Sequence, residues 1–212
     1  MTEVKELMYR TGIIPVVKIT DASKAVGMAE ALLKGGLPAA EITFRSDAAA
    51  ESIKLISEQV PEVFVCAGTI LTPEQAQTAV KCGAKAIISP GTNEAVVKWC
   101  LENDIPVFPG CATPTEVEAC MRLGLDTVKL FPAEVVGGVK MLKALSGPYS
   151  SVKFMPTGGV NTSNAEDYLS QPNVLACGGT WICPVDLINE GKFDEIEAKA
   201  AAAAEIVKKL RG

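Results

Sequence analysis

The 212-residue sequence contains no histidine. That absence excludes a Ser-His-Asp or Cys-His catalytic arrangement, a histidine-ligated zinc site and an imidazole general base. Proton transfers in any enzyme built from this chain must therefore use carboxylates, lysine, tyrosine, cysteine or water. Positive charge is also scarce, since 20 lysines and arginines face 25 acidic residues, for a net charge of −5. This balance argues against a general role in binding nucleic acid or a membrane surface.

Several other patterns are missing. No apolar run approaches the ~20 residues of a membrane span, and neither a Gly-x-Gly-x-x-Gly nor a P-loop motif occurs. The seven cysteines include no Cys-x-x-Cys pair, and most lie in apolar runs such as 64–67. They therefore predict buried thiols in a reducing compartment. The sequence begins Met1-Thr2-Glu3 without a signal-peptide pattern, so we expect a cytoplasmic protein.

One pattern recurs along the chain: a short apolar run, a turn rich in Gly, Pro or Thr, and then an amphipathic stretch. Short continuous apolar runs that alternate with helical patterns indicate parallel strands buried on both faces. The eight apolar runs begin 20 to 26 residues apart, at 13–17, 39–44, 63–67, 86–88, 106–108, 127–131, 152–155 and 174–177.

The segments between these runs carry helix start and stop signals. Thr72 and Thr113 each precede a proline, and an acidic residue follows, which predicts a capped helix start. Gly83 and Gly124 stand where helices should end. Eight β/α units predict a (β/α)₈ TIM barrel, an α/β fold that occupies residues 1–212 as a single domain. The alternative is a doubly wound open sheet, which the missing dinucleotide and P-loop motifs disfavour.

The functional side chains of such a barrel lie at the C-terminal ends of its strands. One of these ends carries Lys129, within the apolar run 127–131. A lysine among apolar residues loses its contact with water, and an uncharged amine can attack a ketone to form a Schiff base. The competing interpretation is a lysine at an edge, or one whose amine reaches solvent. Lys18 and Lys153 occupy similar local sequences.

A second strand end carries Glu41, Thr43 and Arg45, which occupy alternate positions. Their side chains project to the same face if the strand continues that far. An ion pair between the carboxylate and the guanidinium is the simplest interpretation. In a functional interpretation, Glu41 moves protons where no histidine exists, and Arg45 holds a substrate carboxylate through two hydrogen bonds.

Two glycine pairs follow the last two predicted strands, Gly158-Gly159 and Gly178-Gly179. Glycine lets backbone N–H groups approach an anion closely, and the loops after strands seven and eight are the usual phosphate site of this fold. Thr157 or Thr180 would add a hydroxyl donor. One such pair is typical of a simple turn, but two at these ends predict a phosphate site.

Five segments, at 41–45, 68–73, 88–91, 129–134 and 156–159, closely resemble motifs of the KDPG/KHG aldolases. They include Lys-Leu-Phe-Pro-Ala-Glu and the pattern Glu-x-Thr-x-Arg. The abbreviations stand for 2-keto-3-deoxy-6-phosphogluconate and 4-hydroxy-2-oxoglutarate. The similarity covers about residues 8–209 with the motifs in register, and the combination of motifs is what makes it specific.

The resemblance implies a class I aldolase, a metal-independent carbon–carbon lyase without a cofactor, on a (β/α)₈ barrel that assembles as a homotrimer. By position, Lys129 matches the Schiff-base lysine and Glu41 the carboxylate that acts as acid and base. The other matches are to substrate-binding positions: Arg45, Thr69 and Pro90 near the pyruvyl group, Thr157, Gly158, Gly159, Gly179 and Thr180 near the polar chain and phosphate, and Lys18 as a secondary anion contact. Thr180 stands where the family commonly has serine, which leaves its phosphate affinity open.

The implied reaction, a step of the Entner–Doudoroff pathway, cleaves KDPG to pyruvate and glyceraldehyde 3-phosphate. The same site could cleave 4-hydroxy-2-oxoglutarate to pyruvate and glyoxylate, and no motif distinguishes KDPG from its galactonate epimer. Rival interpretations are another phospho-sugar aldolase, such as one for deoxyribose phosphate, and a sugar-acid-phosphate-binding or scaffold protein without catalysis. Glu41, Arg45 and Lys129 argue against the last interpretation, because a pure binder needs no desolvated lysine.

Overall fold

The computed structural model describes residues 2–212 as parallel strands that alternate with helices. The strands are β1 Ile13–Val17, β2 Ala39–Thr43, β3 Phe64–Gly68, β4 Ile87–Ile88, β5 Val107–Phe108, β6 Gly110–Cys111, β7 Thr127–Leu130, β8 Lys153–Pro156 and β9 Cys177–Gly179. The helices are α1 Glu3–Thr11, α2 Ala25–Lys34, α3 Ala49–Gln59, α4 Pro73–Lys81, α5 Glu94–Glu102, α6 Pro114–Arg122, α7 Gly138–Ser146, α8 Ala165–Leu169, α9 Val185–Asn189 and α10 Phe193–Arg211. These elements confirm the predicted α/β class.

Hydrogen bonds arrange the strands in two parallel sheets, ordered β5-β4-β3-β2-β1-β9 and β6-β7-β8. Together the parallel strands form a curled half-barrel. Two isolated bridges, Phe154–Val174 and Thr157–Gly178, connect β8 to the segment around β9. Because all the strands are parallel, their carboxyl ends lie along one edge, and the predicted site residues lie at or near that edge.

The fifth predicted run, 106–108, becomes two short strands on either side of Pro109. Proline has no N–H, so Pro109 cannot donate to the hydrogen-bond ladder. A Cβ on Gly110 would lie 2.0 Å from the carbonyl oxygen of Pro90, so glycine is needed for this close approach. The chain therefore pairs with β4 before the break and with β7 after it.

The eighth predicted run, 174–177, corresponds to β9, which lies later in the sequence and covers Cys177–Gly179. Leu175 N–H donates to Phe154 O at 2.8 Å, so the start of the predicted run faces β8, and only its end pairs with β1. The glycine pair expected after the strand lies within it. A Cβ on Gly178 would lie 2.3 Å from the Thr157 hydroxyl, so the strand needs glycine at this position.

The predicted boundaries of α4 and α6 are confirmed. Thr72 and Thr113 are the N-caps, and a proline is the first residue of each helix. Thr113 and Glu116 form a capping box, in which the Glu116 N–H donates to the Thr113 hydroxyl and Thr113 N–H donates to the Glu116 carboxylate. Gly83 and Gly124, just beyond the two helices, have φ angles of 104° and 85° that glycine adopts without strain.

Two apolar clusters stabilise the fold. The larger fills the space between strands and helices. The smaller lies on the opposite, concave side of the strands, where Met8 of α1 packs with Phe108 and Met155. Lys5 of α1 also forms an ion pair with Asp126, immediately before β7, so α1 covers the amino-terminal ends of the strands. Between residues 2 and 212, no helix has both the length and the hydrophobicity needed to span a bilayer.

Candidate active site

The concave side of the strands carries one buried pair of opposite charges. Lys129 of β7 is 4% exposed and Glu41 of β2 is 0% exposed, and their Nζ and Oε1 atoms are 3.2 Å apart. Strand pairing positions both residues, since Glu41 lies opposite Cys66 of β3 and Lys129 opposite Gly110 of β6. The two residues are 88 positions apart in the chain, so only the tertiary fold brings them together.

The structure distinguishes Lys129 from the two lysines in similar local sequences. Lys153 is exposed at the start of β8, and its ammonium donates to the carbonyl of Pro172 at 2.8 Å. Lys18 follows β1 and is half-buried. Of the lysines in the described part of the chain, Lys129 alone is buried. The expectation that this side chain is withdrawn from water is confirmed.

The charge pair is costly to maintain. Removing a carboxylate and an ammonium from water costs several kcal/mol per ion, and their attraction recovers little beyond that cost. Glu41 Oε1 contacts Lys129, but Glu41 Oε2 is buried without a hydrogen-bond partner among residues 2–212. The ring centre of Phe131 lies 5.3 Å from Lys129 Nζ, close enough for a cation–π interaction. A costly pair with an unused acceptor is typical of a reactive site.

Two residues of β3 shape the space around the carboxylate. A Cβ on Gly68 would lie 2.3 Å from Glu41 Oε1, so glycine leaves room for the carboxylate. Burial, together with the negative charge of Glu41, raises the pKa of the Cys66 thiol well above its ordinary value, and Cys66 stays protonated. Sequence reasoning missed both roles. The sequence carries no signal for them, because the fold sets the register that pairs Cys66 and Gly68 with Glu41 and Thr43 of β2.

Glu41 pairs with Lys129 and not with Arg45, contrary to the simplest interpretation of the sequence. The reason is that β2 ends at Thr43, so Arg45 leaves the strand alternation and its side chain is exposed. Arg45 Nε donates to the Thr43 hydroxyl at 3.1 Å, and that hydroxyl donates to the carbonyl of Val17 at 2.8 Å. These two hydrogen bonds hold Arg45 at the carboxyl edge of the strands.

Thr69 and Pro90 also lie at this edge. Thr69 directly follows β3 and has a φ of 58°, a left-handed conformation that costs a β-branched residue about 1–3 kcal/mol. Pro90 follows β4, is half-buried and presents its carbonyl to the backbone of Gly110. Strain of this kind persists only where the surrounding structure enforces it, and it concentrates at functional sites.

The predicted glycine loops meet at the same edge. Thr157 is buried and bridges to Gly178, while Gly158 and Gly159 have φ angles of 97° and 85°. Thr180 follows β9 and is exposed. The bridge therefore brings the segment after β8 against the segment in and after β9, as a shared anion site would require.

Glu134 and Tyr168 brace this loop, a contact that the sequence does not reveal. The Tyr168 hydroxyl donates to the Glu134 carboxylate, and the Glu134 N–H donates to the carbonyl of Gly158 at 3.0 Å. A Cβ on Gly159 would lie 2.4 Å from Glu134 Cγ, so the Glu134 side chain fills the space beside that glycine. The segment that begins at Lys129 therefore also supports the glycine loop.

Residues 4–199 match the family described as KDPG and KHG aldolase. The chain belongs to the KDPG and KHG aldolase family. It is 42% identical over 207 residues to the 2-dehydro-3-deoxy-phosphogluconate aldolase of Treponema pallidum, covering 98% of this chain and 99% of the relative. It is 40% identical over 204 residues to the KHG/KDPG aldolase of Escherichia coli K12, covering 96% of each.

A solved structure of this aldolase family is similar over the same length. The KDPG aldolase of Legionella pneumophila, with pyruvate captured at low pH as a covalent carbinolamine intermediate, has a TM-score of 0.92 to this chain. The two share 36% sequence identity, and the match covers 95% of this chain and 98% of the other.

In this member of the KDPG and KHG aldolase family, Gly68→Ala should destabilise the fold by about 1–3 kcal/mol, because the added methyl group overlaps the buried Glu41 carboxylate. Urea unfolding measures the change. Gly91→Ala is the matched control, since a Cβ at that position meets nothing within 4 Å. Equal unfolding midpoints for the two variants would contradict the packing of Glu41 against Gly68.

Proposed function

We propose that the protein is a class I aldolase that cleaves KDPG to pyruvate and glyceraldehyde 3-phosphate through a Schiff base on Lys129. The observation that carries this proposal is the buried contact of 3.2 Å between Lys129 Nζ and Glu41 Oε1. It joins a nucleophilic nitrogen to a proton carrier, the two groups that imine chemistry requires. The covalent pyruvate carbinolamine of the Legionella relative supports the same chemistry.

The first half of the reaction attaches the substrate. Glu41 accepts a proton from the Lys129 ammonium, and the free amine attacks the C2 ketone to form a carbinolamine. Glu41 then delivers a proton to the carbinolamine hydroxyl, which leaves as water, and a protonated imine remains on Lys129. One carboxylate can act in sequence as base and acid, so the reaction needs no histidine.

The second half breaks the carbon–carbon bond. Glu41 removes the proton of the C4 hydroxyl, the C3–C4 bond breaks, and its electron pair moves into the imine. Glyceraldehyde 3-phosphate leaves, and the enamine of pyruvate stays on Lys129. Protonation at C3 restores the imine, and water releases pyruvate. The iminium is the electron sink, so no step requires a metal or another cofactor.

The remaining contacts follow from charge and position along the carboxyl edge. Arg45, anchored through Thr43, binds the substrate carboxylate beside Thr69 and Pro90. The phosphate and polar chain contact the residues of the two glycine segments, with Lys18 as a secondary cation: Thr157, Gly158, Gly159, Gly179 and Thr180. A threonine hydroxyl at position 180 can donate to phosphate as serine does, with an added methyl group in the site.

We also propose that the two sheets close into one (β/α)₈ TIM barrel that forms a single domain over residues 1–212. Only Pro109 separates β5 from β6, so the two segments act as one strand and eight strands result. The bridges Phe154–Val174 and Thr157–Gly178 support closure between β8 and β9. The seven cysteines, all free thiols, support a cytoplasmic location, and the family resemblance supports a homotrimer with no nucleic-acid or membrane partner.

Reductive trapping tests the nucleophile. Pyruvate with borohydride should add one stable pyruvate-derived group to the peptide that contains Lys129, because reduction of the imine makes the bond permanent. Lys129→Met should abolish the adduct, while Lys153→Met, which removes an exposed lysine on the neighbouring strand, should leave it unchanged. An adduct that persists in Lys129→Met, or activity that a chelator abolishes, would overturn the mechanism.

Glu41→Gln tests the proton carrier. The substitution keeps the shape of the side chain but removes its basicity, so kcat for cleavage should fall by roughly 10²–10⁴-fold. Pyruvate should still reach Lys129 on prolonged incubation, since the amine is intact. The readouts are steady-state kcat and the final extent of borohydride trapping, with Thr20→Ala as an exposed control. An unchanged kcat would remove Glu41 from the proposed role.

Substrate identity is tested by comparing KDPG, its galactonate epimer and 4-hydroxy-2-oxoglutarate in one cleavage assay. We expect the highest kcat/KM with KDPG, because the glycine loops offer backbone N–H groups to a phosphate that 4-hydroxy-2-oxoglutarate lacks. A deoxyribose-phosphate enzyme would instead trap acetaldehyde, and a scaffold or binding protein would trap neither carbonyl compound. Preference for 4-hydroxy-2-oxoglutarate would contradict the phosphate site.

A further inference from the structure

A pair of cysteines lies beside the strand that carries Lys129. Cys111 ends β6 and Cys120 lies in α6, both are buried, and their sulfur atoms are 3.5 Å apart. The hydroxyl of Thr92 lies 3.2 Å from the Cys120 sulfur and 3.7 Å from the Cys111 sulfur. Within residues 2–212, no other two cysteine sulfurs are close enough to hydrogen-bond.

A surface cavity of about 360 Å³ lies next to this pair. Its walls include Thr92, the residue that contacts both sulfurs, and Glu116 and Ala119 from the same helix as Cys120. Thr92 therefore contacts both the cavity and the two sulfurs.

The two thiols differ in acidity. The hydrogen bond between them lowers the pKa of Cys120, against the opposing effect of burial, while the same bond and burial raise the pKa of Cys111. Cys120 is therefore the thiol of the pair that loses its proton more readily, and the thiolate is the nucleophilic form of cysteine. Burial raises the pKa of Cys100, Cys177 and Cys183 to about 12, so these thiols stay protonated and unreactive.

We propose that Cys111 and Cys120 form a reversible intramolecular disulfide when the protein meets a hydroperoxide. The Cys120 sulfur attacks the terminal peroxide oxygen, the O–O bond breaks, and the alcohol leaves after taking up a proton, or water leaves where the oxidant is hydrogen peroxide. The Cys111 sulfur then attacks the sulfur of the Cys120 sulfenic acid. An S–S bond forms and water leaves, so two thiols are oxidised as one peroxide is reduced.

Formation of the disulfide should affect Lys129 through the backbone hydrogen bonds between β6 and β7. Closing the bond brings the sulfurs from 3.5 Å to roughly 2.0 Å, and we expect β6, which carries Cys111, to shift as the two side chains approach. Phe131 N–H donates to Cys111 O at 3.1 Å, and Lys129 N–H donates to Pro109 O at 2.9 Å. A shift of β6 therefore acts on both sides of Lys129, and it should weaken pyruvate capture. This second expectation rests on the proposed function, whereas disulfide formation does not.

Peptide mapping tests the disulfide. The native protein is treated with hydrogen peroxide, its remaining thiols are alkylated, and it is cleaved after glutamate without reduction. This cleavage places Cys111 in 103–116, Cys120 in 119–134 and Cys100 in a third peptide. We expect 103–116 linked to 119–134, with the link lost after dithiothreitol and absent in Cys120→Ser. Cys82→Ser, which removes a half-buried thiol elsewhere, is the control and should still form the link.

Two mapping results would overturn the proposal. One is alkylation of Cys111 and Cys120 to the same extent with and without peroxide. The other is over-oxidation of Cys120 without a linked peptide.

Pyruvate trapping on the same samples tests the effect on Lys129 separately from formation of the disulfide. The oxidised protein should form little of the trapped pyruvate adduct, and treatment with dithiothreitol should restore it. In Cys120→Ser, peroxide should leave formation of the adduct unchanged. A linked peptide with unchanged trapping would overturn the connection to Lys129, while no adduct in the reduced protein would count against the aldolase instead.

Discussion

The ion pair between Lys129 and Glu41 is the constraint on which the rest of this structure depends. It brings together two opposite charges from the concave sides of the two sheets, where desolvation offsets most of their attraction. Apolar residues of similar volume would pack there at least as well. The stability of the fold therefore does not explain the pair, whereas the proposed Schiff-base chemistry requires an amine withdrawn from water beside a carboxylate.

The backbone near the pair accommodates it at a cost to the strands. Glycine at 68, 110 and 178 permits close approaches that a side chain would block, but glycine contributes nothing to packing within a strand. β4, β5 and β6 have only two residues each. The larger apolar cluster, between strands and helices, must therefore hold the short strands in place. The helical layer supplies the stability, and the strand ends remain available for polar groups.

The sequence predicts the parts of this structure that depend on local composition. The alternation of strands and helices and the caps at Thr72 and Thr113 follow from residue order alone. The bounds of the fifth and eighth strands do not, because they depend on which neighbouring carbonyl each N–H reaches. The same reason explains the partner of Glu41: Arg45 is close in sequence, but the fold brings Lys129 into contact. The Glu134–Tyr168 contact likewise has no local signal.

The packing on the concave side also restricts the order of events at Lys129. Met8 of α1 and Phe108 pack together on this side, and α1, held by the Lys5–Asp126 ion pair, covers the amino-terminal ends of the strands. Molecules can therefore enter and leave only past the carboxyl edge. In the proposed mechanism, a fragment bonded to Lys129 stays in the site until its bond is hydrolysed, so the unattached aldehyde departs first and pyruvate second. In the direction of condensation, the same mechanism requires pyruvate to arrive before the aldehyde, and both must pass the same edge of the strands.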